Sequence, residues 1–203
     1  MKIALIGASG NVGSRILAEA LRRGHTVTAI VRHPEKLAAR KGLKAVRGDI
    51  TEPTSLAALL RGHDAVISSV RFVDADPRKL CDAVRAAGVR RLLVVGGAGS
   101  LEVKPGLLLV ETPDFRQEWK PEATAGRDFL RALRQVQDLD WTFLSPSAQF
   151  APGERTGQFR LGTDQLLTDA SGKSWISMED YAIAMLDEME TPRHVRRRFT
   201  VGY

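Results

Sequence analysis

The first thirty-two residues constrain the fold more than any other stretch. Lys2 to Ile6 (KIALI) is a short, nearly continuous apolar run of the kind buried on both faces of a parallel sheet. Gly7, Gly10 and Gly13 follow in Gly-x-x-Gly-x-x-Gly spacing. Val12, Ile16, Ala20 and Leu21 then recur at helical intervals up to Gly24, and Thr26 to Val31 (TVTAIV) reads as a second strand. A strand, a glycine loop, a helix and a strand in this order form the dinucleotide-binding unit. The first glycine allows the tight turn, the second lets the backbone approach a pyrophosphate, and the third lets helix pack on strand. The amides of Gly10, Asn11 and Val12 open the helix, where unpaired N–H groups and the macrodipole attract a phosphate, and Ser9 adds a hydroxyl.

The end of the second strand selects between the two nicotinamide cofactors. An acidic residue there holds the free 2′-hydroxyl of NAD, whereas an arginine accommodates the 2′-phosphate of NADP. This strand ends in Arg32, with Lys36 four residues on, so NADP(H) is expected in preference to NAD(H).

A chain of 203 residues is ample for a substantial core, and residues 1–203 read as a single nucleotide-binding domain without linker, repeat or low-complexity segment. The net charge of +6 raises the question of a nucleic-acid partner, but the basic residues are scattered among acidic ones with no aromatic interleaving. No apolar run reaches membrane-spanning length. Cys81 is the only cysteine, so no intrachain disulfide can form, and His25, His33, His63 and His194 lack metal-ligand spacing. The expectations are a cytoplasmic protein, monomer or weak homodimer, with a small-molecule acceptor as its partner and no metal, nucleic acid or membrane.

Along the rest of the chain strands alternate with helices, which implies right-handed crossovers and a doubly wound, Rossmann-type α/β sheet with helices on both faces. A short helix is expected over 35–40, then a strand Lys44 to Arg47 ending at Gly48-Asp49-Ile50, where Asp49 either faces adenine or caps the helix near Pro53. A strand Asp64 to Val70 and a helix Pro77 to Ala87 come next. The strand Arg91 to Val95 runs into Gly96 and Gly97. Residues 101–119 read as a long apolar loop over the active site. A helix from Pro121 and a strand Asp140 to Leu144 follow. The remainder forms a small C-terminal, substrate-side extension, with a hairpin of 159–161 and 165–168, a helix from Met178 capped by Ser177 and Asp180, and a closing strand from Arg198. Substrate-side elements fall at about 97–120 and 146–178.

The motifs GASGNVG, VRHPEK, GDI, VVGGAGSLEV with the following PG and TPDF, WTFLSPS, PGERTG, DYA and FTVGY make the whole chain resemble the atypical short-chain dehydrogenase/reductase superfamily. Within it the chain is most similar to the group assigned as NADH-flavin reductases, related to biliverdin reductase B and NmrA-like proteins. The resemblance implies that Gly7, Ser9, Gly10, Asn11, Val12 and Gly13 hold the pyrophosphate, and Arg32 with Lys36 the 2′-phosphate. It places Asp49 and Ile50 beside adenine, Ser68 and Ser69 near the ribose, and Pro146 and Ser147 near the nicotinamide. Gly96 and Gly97 also count among the cofactor-binding positions.

The chain departs from the alcohol dehydrogenases of that superfamily at the acid/base machinery. No Tyr-x-x-x-Lys occurs, the only tyrosines are Tyr181 and Tyr203, and Gly96-Gly97 stands where a catalytic serine belongs. Hydride transfer to a flavin, quinone or biliverdin-like acceptor needs no such donor, because the oxidised ring is already electrophilic and the remaining proton can come from water. The protein then mainly aligns two stacked rings. Phe115, Trp119 and Phe150 are candidates to line the acceptor surface, with flavin as substrate. A non-catalytic NADP sensor of the NmrA type is the alternative.

Overall fold

The computed structural model describes residues 1–203. Its elements run β1 (Lys2–Ile6), α1 (Asn11–Arg22), β2 (Thr26–Val31), β3 (Leu43–Arg47), α2 (Pro53–Leu60), β4 (Ala65–Ser68), α3 (Pro77–Ala86) and β5 (Arg91–Val95). Then come β6 (Glu102–Lys104), β7 (Leu107–Leu108), α4 (Lys120–Leu133), β8 (Asp140–Ser145), β9 (Gln149–Ala151), β10 (Arg160–Gly162), β11 (Trp175–Ser177), α5 (Met178–Glu190) and β12 (Arg197–Gly202). One eight-stranded sheet has the order β10-β12-β8-β5-β4-β1-β2-β3, parallel throughout except for β10.

Alternation along each strand sorts the core into two halves. Ile3 and Leu5 of β1, with Val27, Ala29 and Val31 of β2, pack under α1 and α5. Ala4 and Ile6 of β1, with Ile30 of β2, pack under α2, α3 and α4. Burial of each such Val, Leu or Ile contributes roughly 1.5–3 kcal/mol, so a central strand covered on both sides tolerates no polar register slip. Helix starts follow local chemistry. Asp76 accepts from the amides of Arg78 (2.8 Å) and Lys79 (3.4 Å) ahead of Pro77, and Ser177 Oγ accepts from Asp180 N at 3.0 Å.

Four expectations need correction. Residues 35–40 form no helix beyond the single 3₁₀ turn Pro34–Lys36. The 101–119 stretch carries a β6–β7 ribbon and 3₁₀ turns and buries Leu101 and Val110, because its apolar side chains seek the core. The 159–168 segment makes no hairpin of its own. Arg160–Gly162 pairs antiparallel with β12, and Gln165 bridges Glu102. Asp180 does not complete a reciprocal capping box; its carboxylate is turned to the segment before it.

That segment, Pro152–Gly157, is strapped across the starts of α5 and the flank of α1. Asp180, wholly buried, accepts from the amides of Thr156 and Gly157 (2.8 Å each), from the Thr156 hydroxyl and from Tyr203 Oη (2.7 Å). Arg155 reaches Glu19 of α1 at 2.9 and 3.1 Å, where Arg22 and Arg23 also donate. Burial acts to raise the Glu19 pKa, but the three guanidinium groups overcome it and hold the carboxyl far below the usual range. Its native pKa lies below its unfolded one, so its stabilisation is complete above the unfolded value near pH ~4.3 and is lost as pH falls. Glu19→Ala is expected to cost about 3 kcal/mol at neutral pH, since it leaves crowded arginines uncompensated. Thermal melts should show the gap to the wild type narrowing as the pH is lowered through about 4 toward 3.

Candidate functional site

In an open parallel sheet a ligand sits outside the carboxyl ends of the strands where their order reverses, here between β1 and β4. A groove of about 530 Å³ lies at that point. It brings together seven of the expected residues: Gly7, Ser9 and Gly10 after β1, Arg32 after β2, Asp49 and Ile50 after β3, and Ser69 after β4.

The three glycines separate by role. Gly7 has φ +80°, and a Cβ on it would strike the Ser69 carbonyl; a Cβ on Gly13 would strike the carbonyl of Gly7. Both are demanded by the closeness of loop, strand and helix. Gly10 is different, because a Cβ there would meet only Gly7 O at 3.4 Å, and its φ of −73° suits any residue. Nothing in the protein requires glycine at this point. It is also the N-cap of α1, where no side chain caps the first amides. An open backbone ahead of uncapped N–H groups fits a pyrophosphate, with Asn11, Val12 and Gly13 contributing the amides.

At the far end Arg32 is exposed and its charge, behind the stronger contacts from Thr51, helps to hold the Asp49 carboxyl below its ordinary pKa. Asp49 accepts from Thr51 N (2.9 Å) and Thr51 Oγ1 (2.8 Å), both on Oδ1, so Oδ2 remains for a donor such as an adenine amine. Asp49 does not cap α2, whose N-cap is Glu52. Lys36 is exposed on the 3₁₀ turn and does not line the groove.

Several expected residues are elsewhere. Ser68 is 2% exposed within β4. Pro146 is buried, and Ser147 is 1% exposed and donates to Val201 O at 3.0 Å. Gly96 is glycine because a Cβ would strike the Phe143 ring and the Leu144 carbonyl; Gly97, half-buried, has only Phe72 nearby. Phe150 packs on Tyr181 with ring centroids 4.7 Å apart, Phe115 is half-buried, and Trp119 is exposed. Arg71, Val73 and Asp74, in and before the 3₁₀ turn Phe72–Asp74, line the groove and carry no motif. Their one signal in the sequence is that they directly follow the end of a central strand.

Neither tyrosine hydroxyl is free. Tyr181 is fully buried, donates to Leu144 O at 2.6 Å and accepts from Gly96 N at 3.2 Å, and burial raises its pKa far out of range. Tyr203 is engaged with Asp180 and Ser177. No group of three or more His, Cys, Asp or Glu is placed to hold a metal, no helix is long and apolar enough to cross a membrane, and Cys81 is buried in α3 with its pKa raised to about 11.

The chain matches the NAD(P)H-binding family over residues 7–192 and belongs to that family. YwnB of Bacillus subtilis (strain 168) is 43% identical over 211 aligned positions, covering 99% of this chain and 98% of the relative. A crystal structure of a predicted epimerase from Bacteroides thetaiotaomicron shares 46% identity with a TM-score of 0.95, over 100% of this chain and 96% of that one. A predicted NADH-flavin reductase from Streptococcus pneumoniae TIGR4 shares 38% identity with a TM-score of 0.86, over 100% and 99% of the two chains.

The two kinds of glycine are distinguished by substitution. Gly10→Ala should melt like the wild type yet bind NADP at least about tenfold more weakly, on the order of 1.4 kcal/mol. Gly13→Ala should lower the melting temperature itself. Thermal denaturation beside an NADP titration reads both.

Proposed function

We propose that the protein is an NADPH-dependent reductase of a flavin or a similar flat, already electrophilic acceptor. The observation that carries this reading is the pairing of an open, uncapped phosphate cradle with the absence of any free tyrosine. A bound reduced nicotinamide supplies a hydride, which a flavin takes up together with one proton from water. The chain contributes position. The α1 amides hold the pyrophosphate, Arg32 the 2′-phosphate, and Asp49 the adenine amine, while Ser69 and Val70 fix the approach to the reacting end. Alcohol oxidation needs a base to take the hydroxyl proton and epimerisation needs an acid/base group as well, and the buried Tyr181, with its hydroxyl held in two hydrogen bonds, speaks against both. The likeness to a predicted NADH-flavin reductase supports the same reading.

Anaerobic oxidation of NADPH should proceed with FMN, FAD, riboflavin or a quinone. Tight NADP binding with no turnover on any of these acceptors would discard the reductase in favour of a sensor. Arg32→Asp should weaken NADPH binding by about 10- to 100-fold, the loss of one charged contact, and leave NADH nearly unaffected. An equal effect on both cofactors would remove Arg32 from the phosphate site.

A further inference from the structure

A second cavity, of about 370 Å³, lies along α1 and shares no lining residue with the cofactor groove. Segments distant in sequence meet around it: α1, the stretch 37–42 ahead of β3, the strap Pro152–Gly157 and the first turn of α5. Its wall is almost wholly polar. Arg15, Arg22, Arg40 and Arg155 line it against two carboxylates, Glu19 and Glu179, which leaves two positive charges in excess.

Both carboxylates are already committed. Glu19, buried, accepts from Arg22 Nε and Nη2, from Arg23 Nε, and from Arg155 Nε and Nη2 at 2.7 to 3.1 Å. Glu179 accepts from Arg15 Nε at 3.1 Å and from Gly153 N at 2.8 Å. The guanidinium groups still have donors to spare. Nη1 of Arg22 and Nη1 of Arg155 take no part in these bonds, and the two side chains are 54% and 41% exposed, so a ligand can reach them. Arg40 is exposed and makes no ion pair and no side-chain hydrogen bond, so its whole fork is open. Arginine forks pair bidentately with phosphate oxygens, and donors carried by three separate segments suit a ligand with more than one phosphoryl group.

We infer that this cavity is a second anion site, which takes a small oligophosphate between Arg22, Arg40 and Arg155. It stands apart from the reductase reading, because none of its residues lines the cofactor groove. Pyrophosphate is the probe, with NADP saturating so that the groove is filled and with chloride holding the ionic strength constant. Calorimetric titration should show one saturable site per chain, and inorganic phosphate should bind about tenfold more weakly because it spans fewer guanidinium groups. Arg40→Gln should weaken pyrophosphate by about tenfold and leave the melting temperature of the free protein unchanged, since the Arg40 side chain holds nothing in the fold. Arg40→Lys should recover only part of that loss, keeping the charge without the fork. Arg155→Gln should weaken pyrophosphate too, but with a lower melting temperature, because Glu19 loses a partner. Absence of saturable binding, equal affinity for phosphate and pyrophosphate, or an affinity untouched by Arg40→Gln overturns the inference. Binding seen only without NADP would assign pyrophosphate to the groove and remove the second site. None of these outcomes bears on NADPH oxidation, which tests the reductase separately.

Discussion

The site depends on the absence of two β-carbons. Gly7 lies against the carbonyl of Ser69, and Gly13 against the carbonyl of Gly7, so β1, β4 and α1 meet more closely than any side chain permits. That closeness aims the first turn of α1 into the gap between β1 and β4. The first amides of α1 are left uncapped above a tightly packed loop, and of the three loop glycines Gly10 is the one the packing does not use.

A second group of contacts holds the opposite end of α1. The strap Pro152–Gly157, the first turn of α5 and Tyr203 converge on the buried carboxylate of Asp180, and Arg155 carries the strap on to Glu19. Arg15 adds a link from the first half of α1 to Glu179 at 3.1 Å, and Glu179 in turn accepts from Gly153 N at 2.8 Å. Three motifs distant in sequence are thereby one polar network, satisfied by backbone amides and guanidinium groups as buried carboxylates require.

The sequence made the β1–α1–β2 unit, the parallel core and the capped start of α5 legible, because each rests on neighbours a few residues apart: apolar runs, glycine spacing, Ser177 before α5. Pairings between distant segments were hidden. Nothing within Phe159–Thr168 announces that Arg160–Gly162 pairs with β12 or that Gln165 meets Glu102. The same holds at the site. Ser9, Gly10, Arg32 and Asp49 occupy loops just beyond strand ends and reach the groove, whereas Ser68 lies within β4 and Ser147 lies beyond β8 under the β12 backbone, both buried. Polarity alone does not distinguish a serine that lines the groove from one that satisfies a carbonyl. Arg71 and Val73 were missed because they have no motif, only an address.

Placement of β12 inside the sheet, between β8 and β10, bears on how the chain reaches this structure. The five strands β3-β2-β1-β4-β5 come from residues 1–95 and can pair without the last residues of the chain. The other side cannot. Residues 197–202 must arrive before β10 has a partner and before Tyr203 can reach Asp180, and they pair with β8 at a sequence separation of 55. Residues 1–95 therefore pair independently of the C-terminus, while β10 and the Tyr203–Asp180 contact wait for it, leaving the β8 edge uncovered in the interval.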